Sequence, residues 1–147
     1  MAKLSREEGF TLIEILVVVA LIAVLAAVTI IAINPAKNFA AARNTERVAE
    51  ANEILNAVTQ YTSEQGNAVG DLGTIPLCTA TPAAIGSGSG NVNLATVLVD
   101  EFIVAIPTDP STGTDADTGY TICQTPGGRV QIAAPDAENG ATVIVKR

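Results

Sequence analysis

The chain has 147 residues, a formal charge of -7, no histidine and no tryptophan, and only 3% aromatic residues, so Val, Ile, Leu and Ala must supply one modest core. Its acidic balance argues against a nucleic-acid-binding surface, which works by displacing counterions with a basic patch. Enzymatic chemistry is equally unsupported: there is no His, no Gly-rich phosphate loop followed by Lys-Ser or Lys-Thr, no zinc-type cysteine cluster and no Gly-x-Ser-x-Gly turn.

Residues 1–33 join a short polar head to a long apolar run that carries one carboxylate, Glu14, near its start. A secretory signal would be cut after its apolar core. Here Ile15 to Ile33 is interrupted only by Thr29 and is followed by Asn34-Pro35 rather than a small-x-small site, so the run is expected to stay in the mature protein. At 1.5 Å per residue it makes about 28 Å of helix, one membrane span. An acid at the mouth of such a span is costly to desolvate and needs a partner, and no cation adjoins Glu14 in the sequence. Lys3 and Arg6 precede the span and Lys37, Arg43 and Arg47 follow it, so charge alone leaves the orientation open.

Gly9-Phe10-Thr11-Leu12-Ile13-Glu14 resembles the processing and assembly signature of type IV pilins and their pseudopilin relatives. The resemblance implies that a prepilin peptidase cuts between Gly9 and Phe10 and methylates the new amine of Phe10. It makes 1–9 a leader and 10–33 a transmembrane and assembly helix, and gives Phe10 and Glu14 the assembly role. It places the leader in the cytoplasm and the C-terminus outside. The implied partners are copies of the chain in a helical filament, the peptidase, inner-membrane assembly machinery, and lipid before assembly. The implied function is a structural subunit of a pilus-like surface filament, the alternative being a pseudopilin of a type II secretion pseudopilus.

Beyond Pro35 the period changes. Ala40, Ala41, Val48, Ala51, Leu55, Val58 and Thr62, widened by Ile54 and Tyr61, form an apolar stripe, with Arg43, Glu46, Arg47, Glu50 and Glu53 as polar flanks. This predicts an amphipathic helix from about Ala36 to Gln65, ended at Gly66, within a segment 34–65, and a helix interruption or kink at Asn34-Pro35. Region 66–147 is expected to be a small extracytoplasmic, β-rich part. Gly86-Ser87-Gly88-Ser89-Gly90 reads as a flexible loop. Asn93 is a candidate cap for a short helix presenting Leu94, Val97, Leu98 and Phe102 and ended by Pro107. Gly119 to Gln124, Arg129 to Ala134 and Ala141 to Lys146 read as an antiparallel three-strand meander. The amphipathic helix is the one long apolar surface able to cover such a sheet, which makes the fold class α+β. The pilin resemblance implies the same arrangement.

Cys78 and Cys123 are candidates for a disulfide in an oxidising compartment, worth about 3 to 4 kcal/mol in the chain-entropy model. Many pilins similarly tie their C-terminal region. No cofactor is expected, with one reservation: the loop from Pro107 to Gly119 gathers Asp109, Asp115 and Asp117, hard oxygen donors that suit calcium. Major secretion pseudopilins carry calcium in a comparable loop, although the spacing here departs from an EF-hand and acidic turns are common without metal.

Overall fold

The apolar run folds as one helix, α1 (Leu12–Ile33), in the computed structural model, which describes residues 9–147. Residues 1–8 of the expected 1–9 leader, with Lys3 and Arg6, lie outside the described residues. At 1.5 Å per residue α1 is about 33 Å long, enough to cross the hydrocarbon of a bilayer. None of its residues is buried, and among the described residues it is the one helix both long and apolar enough to span. Thr29, its polar interruption, donates its hydroxyl to the Ala26 carbonyl at 2.9 Å, which satisfies that group within the helix.

Asn34 ends α1 in the left-handed conformation, with φ 46° and ψ 73°. Its side-chain oxygen accepts the Lys37 N–H at 3.3 Å, so the same residue caps the start of α2 (Pro35–Ser63). Pro35 then takes the first helical position, where its missing N–H loses nothing. The expected interruption is therefore a two-sided cap on Asn34, with Pro35 opening the next helix.

The chain forms two units, one ending at Asn38 and the other Phe39–Arg147. In the second, α2 buries Ala51, Ile54, Leu55, Ala57 and Val58 in one cluster with Ile122, Val130, Ile132, Ala134 and Val143 of the sheet. The sheet strands are β1 (Ala83–Ala84), β2 (Thr121–Gln124), β3 (Val130–Ala134) and β4 (Val143–Lys146), in that order and antiparallel throughout. The α+β expectation holds. Two details of the stripe differ: Ala41 and Val48 are exposed, and Arg47, read as a polar flank, is buried.

Three further expectations are corrected. The sheet has four strands, because Ala83 and Ala84 pair with Ile122 and Thr121, an addition too short to show any alternation. The short helix, α3 (Ala95–Leu98), stops well before Pro107, since Val99 is extended and Asp100 has φ 77°. Asn93 still accepts the Ala95 N–H, at 3.2 Å. Finally, the Gly-Ser run is a docked segment and not a free linker. The Ser87 and Gly88 N–H groups donate to the Asp115 and Ala116 carbonyls at 2.9 Å each. A Cβ on Gly86 would sit 2.3 Å from the Ala116 oxygen, so glycine is there for close approach.

Cys78 and Cys123 form a disulfide. Alternation turns Cys123 to the sheet face opposite Ile122. The bond fastens the segment before β1 to β2, where Gln124 N–H donates to the Pro76 carbonyl and Cys78 N–H to the Gln124 carbonyl, each at 2.8 Å. Replacing both cysteines with serine should lower the unfolding free energy of the full chain in detergent micelles by about 2 to 4 kcal/mol. Urea unfolding followed by circular dichroism checks this, and reductant should bring the parent chain to the same midpoint.

Candidate processing and assembly segment

The amino-terminal site is organised by Thr11. Its hydroxyl accepts the Glu14 N–H at 3.3 Å and its carbonyl accepts the Ile15 N–H at 3.3 Å, which makes it the N-cap of α1. The spacing Thr-x-x-Glu is a helix-start signal that the motif reading passed over. Capping puts Glu14 in the first turn, where the helix dipole favours an anion. Gly9 and Phe10 precede the helix, and the Phe10 side chain is 78% exposed. The proposed cleavage bond thus lies in non-helical chain just before a capped helix end. Glu14 is exposed as well, and no buried residue of α1 shields it.

The carboxylates of the Pro107–Gly119 loop follow another logic. Asp109 is 3% exposed and lies against Arg47, which is 0% exposed. Arg47 Nε donates to Asp109 Oδ2 at 2.6 Å and Nη2 to Oδ1 at 3.1 Å. Nη2 also donates to Ser111 Oγ at 2.6 Å, and Nη1 to Asn44 Oδ1 and Glu138 Oε2 at 3.0 Å each, so all five N–H donors are engaged. Asp109 Oδ1 accepts further bonds from Ser111 N–H at 2.9 Å and Thr112 N–H at 3.2 Å. Glu138 also receives Arg43, through Nε at 2.6 Å and Nη2 at 2.5 Å. Asn44 brackets the Glu138 backbone, donating to its carbonyl at 2.8 Å and accepting its N–H at 2.9 Å. Three polar residues of α2 thereby hold two loops.

Burial alone would raise the Asp109 carboxyl, but the hydrogen bonds from Arg47, Ser111 and Thr112 outweigh it and hold the group well below the usual carboxylate range. Bonds from Arg43 and Arg47 hold Glu138 down at about 2. Arg47 is stabilised in its charged form chiefly by Asp109, against the effect of burial. Beside this cluster, Tyr120 donates its hydroxyl to Glu50. Burial pushes the Tyr120 phenol up, with Glu50 adding to the shift, and burial also raises Glu50 against the bond from Tyr120.

The three loop acids do not form a ligand set. Asp109 faces a guanidinium that would repel a cation, the Asp117 carboxylate accepts the Gly119 N–H at 3.1 Å, and Asp115 offers its backbone carbonyl to Ser87. Among the described residues no three acids, cysteines or histidines are gathered closely enough to hold a metal ion. Gly119, at φ 78°, lets the loop close on Asp109, whose Cβ would be 2.7 Å from an added Cβ. The sequence reading missed Arg47, Asn44 and Glu138. For Arg47 a signal was present, since it falls on the stripe of Ala40, Ala51 and Val58.

Two outcomes follow. Arg47→Met leaves Asp109 buried without a counter-charge and should cost about 3 to 5 kcal/mol, much of it recovered in Arg47→Met with Asp109→Leu, as read by urea unfolding. Because Asp109 and Glu138 are held below their unfolded values of about 4, their contribution is present above that range and lost as pH falls toward 2. The melting-temperature gap between the parent chain and Glu138→Gln should accordingly narrow between about pH 4.5 and 2.

No curated protein and no solved structure matches the chain. Residues 4–33 match the family model described as the prokaryotic N-terminal methylation motif. That match spans the Gly9-Phe10 bond, Thr11, Glu14 and all of α1, and it points to a structural subunit that a prepilin peptidase processes. Residues 4–33 thus carry the hallmark of the prepilin-type cleavage found in type IV pilins and pseudopilins.

Proposed function

We propose that the chain is the structural subunit of a type IV pilus-like surface filament. The observation that carries this reading is the methylation motif placed on a fully exposed, membrane-length helix, in a chain whose second unit has its own core and disulfide. Residues 1–9 act as the leader, 10–33 as span and assembly helix, 34–65 as the amphipathic helix and 66–147 as the extracytoplasmic region. Before processing, the subunit is stored in the cytoplasmic membrane with its C-terminus outside.

Cleavage between Gly9 and Phe10 frees an α-amine. Such a group ordinarily titrates at about 7.7 to 8.0, so much of it is charged near neutrality, and single methylation keeps it basic. It supplies the cation that Glu14 lacks. When copies leave the bilayer and bundle their apolar helices, Glu14 of one meets the Phe10 amine of another, and desolvation penalises any register that leaves either charge alone. The secretion pseudopilin reading leaned on a calcium loop. Asp109 is paired with Arg47, which weighs against its serving as a calcium ligand, and the disulfide supports the pilus reading.

Electron microscopy of sheared surface material, with mass spectrometry, should show filaments built from a chain that begins at methylated Phe10. Glu14→Gln and Glu14→Ala should be cleaved and folded normally yet give at least about tenfold less filament, the loss of roughly one buried charge pair. Normal filaments from both variants would remove the pairing role.

A further inference from the structure

Among the large apolar side chains of the Phe39–Arg147 unit, Val104 is the most exposed, at 91%. It does not sit on slack chain. The Asp100 N–H donates to the Ile103 carbonyl at 3.0 Å, and the Phe102 and Ile103 N–H groups both donate to the Leu98 carbonyl, at 3.0 and 3.1 Å. Leu98 and Ile103 are buried, and Phe102 meets Tyr61 of α2 edge-on with ring centroids 5.6 Å apart. The knuckle Asp100–Val104 is thus fixed from below while presenting one valine and two exposed acids, Asp100 and Glu101. A surface already ordered loses little entropy on docking.

The sheet offers a surface of opposite character. Register pairs Gln131 with Lys146 and Ala133 with Ile144. Since Val130, Ile132, Ala134 and Val143 face the core, alternation puts Arg129, Gln131, Ala133, Ile144 and Lys146 on the outward face. Ile144 is 50% exposed, exposed Lys146 lies two residues further along β4, and exposed Arg129 lies two residues before Gln131, the partner of Lys146. Among the described residues neither Arg129 nor Lys146 joins an ion pair, unlike Arg43 and Arg47. In a chain of charge -7, this face has a basic end next to an apolar one, and β4 is the end strand of the sheet.

We propose that the Asp100–Val104 knuckle of one copy docks on the β3–β4 outward face of another, Val104 against Ile144 and Ala133, with Asp100 and Glu101 facing Lys146 and Arg129. The proposal rests on the filament reading and names its second contact. Complementary charge selects a second copy of this chain as the occupant. Knuckle and sheet face are different surfaces, so the contact is heterologous and propagates instead of closing a dimer.

Full-length chains, one isotopically heavy and one light, are co-expressed, and filaments or membranes are treated with a zero-length carbodiimide. The expected product is a heavy–light peptide joining Asp100 or Glu101 to Lys146. Its yield should fall by about fivefold or more in Val104→Asn, which keeps both reactive groups, adds no carboxylate and alters only an exposed side chain. Circular dichroism checks that the variant is folded. Heavy–light links found only elsewhere, or a link that Val104→Asn does not change, overturn this docking and leave the filament reading standing. A complete lack of heavy–light links overturns both.

Discussion

An apolar helix with none of its residues buried sets the terms for the rest of the molecule. A surface of that kind is stable only where something other than water covers it, and lipid and other apolar helices are the two covers of matching length. The helix is apolar around its whole circumference, so it lacks the polar stripe that would let it lie at a membrane surface. Thr29 satisfies its own hydroxyl inside the helix, which leaves Glu14 as the charged group in the run. Whatever covers α1 must therefore also deal with one carboxylate at the helix start.

The second unit solves a different problem: how to make a small, aromatic-poor domain hold one shape. Its apolar cluster draws on Val, Ile, Leu and Ala from α2 and the sheet, and much of the remaining chain is loop. Two devices fix the loops. The disulfide ties the segment before β1 to β2, and the Arg47 cluster ties Asp109 and Glu138, on separate loops, to one helix. A buried ion pair is a doubtful source of net stability, because desolvation consumes much of its attraction. Its value lies in selectivity: with five donors to place, Arg47 tolerates few arrangements of the two loops other than this one.

Periodicity made the long elements legible. The apolar run, the stripe of α2 and the alternation of β2, β3 and β4 each repeat often enough to be read, and two cysteines in a chain expected to reach an oxidising compartment pointed to their own bond. What failed was local or long-range in ways a pattern does not encode. Two alanines show no alternation, so β1 was invisible; its strand character comes from the β2 edge it meets. The Gly-Ser run looked free because it has no side chains to pack, yet its backbone bonds to a segment about 28 positions away. Arg47 was placed on a polar flank because a charge is usually solvated, although its position on the stripe pointed inward. Its partner lies 62 positions along the chain, in a loop whose acids, together with a likeness to a pseudopilin loop, suggested calcium. At the amino-terminal segment the motif was fully legible, and the cap by Thr11 was legible in principle from the same four residues.

Affinity and register come from different parts of such a subunit. Apolar helices in an apolar surrounding gain little by preferring one axial offset over another, since lipid tails are as apolar as leucine and successive turns of Val, Ile, Leu and Ala resemble each other. In the proposed filament, translation along α1 would be made unequal by Glu14, where a shift changes the electrostatic energy rather than the packing alone. A single fixed point on a long helix still leaves rotation about it weakly determined. A second fixed point must come from a surface with its own direction and charge pattern. The folded unit carries such a pair in the rigid acidic knuckle around Val104 and the basic outward face of β3–β4. In the proposed filament, apolar burial would supply most of the attraction, while a few exposed or desolvated charges would decide which neighbour is met and at what offset.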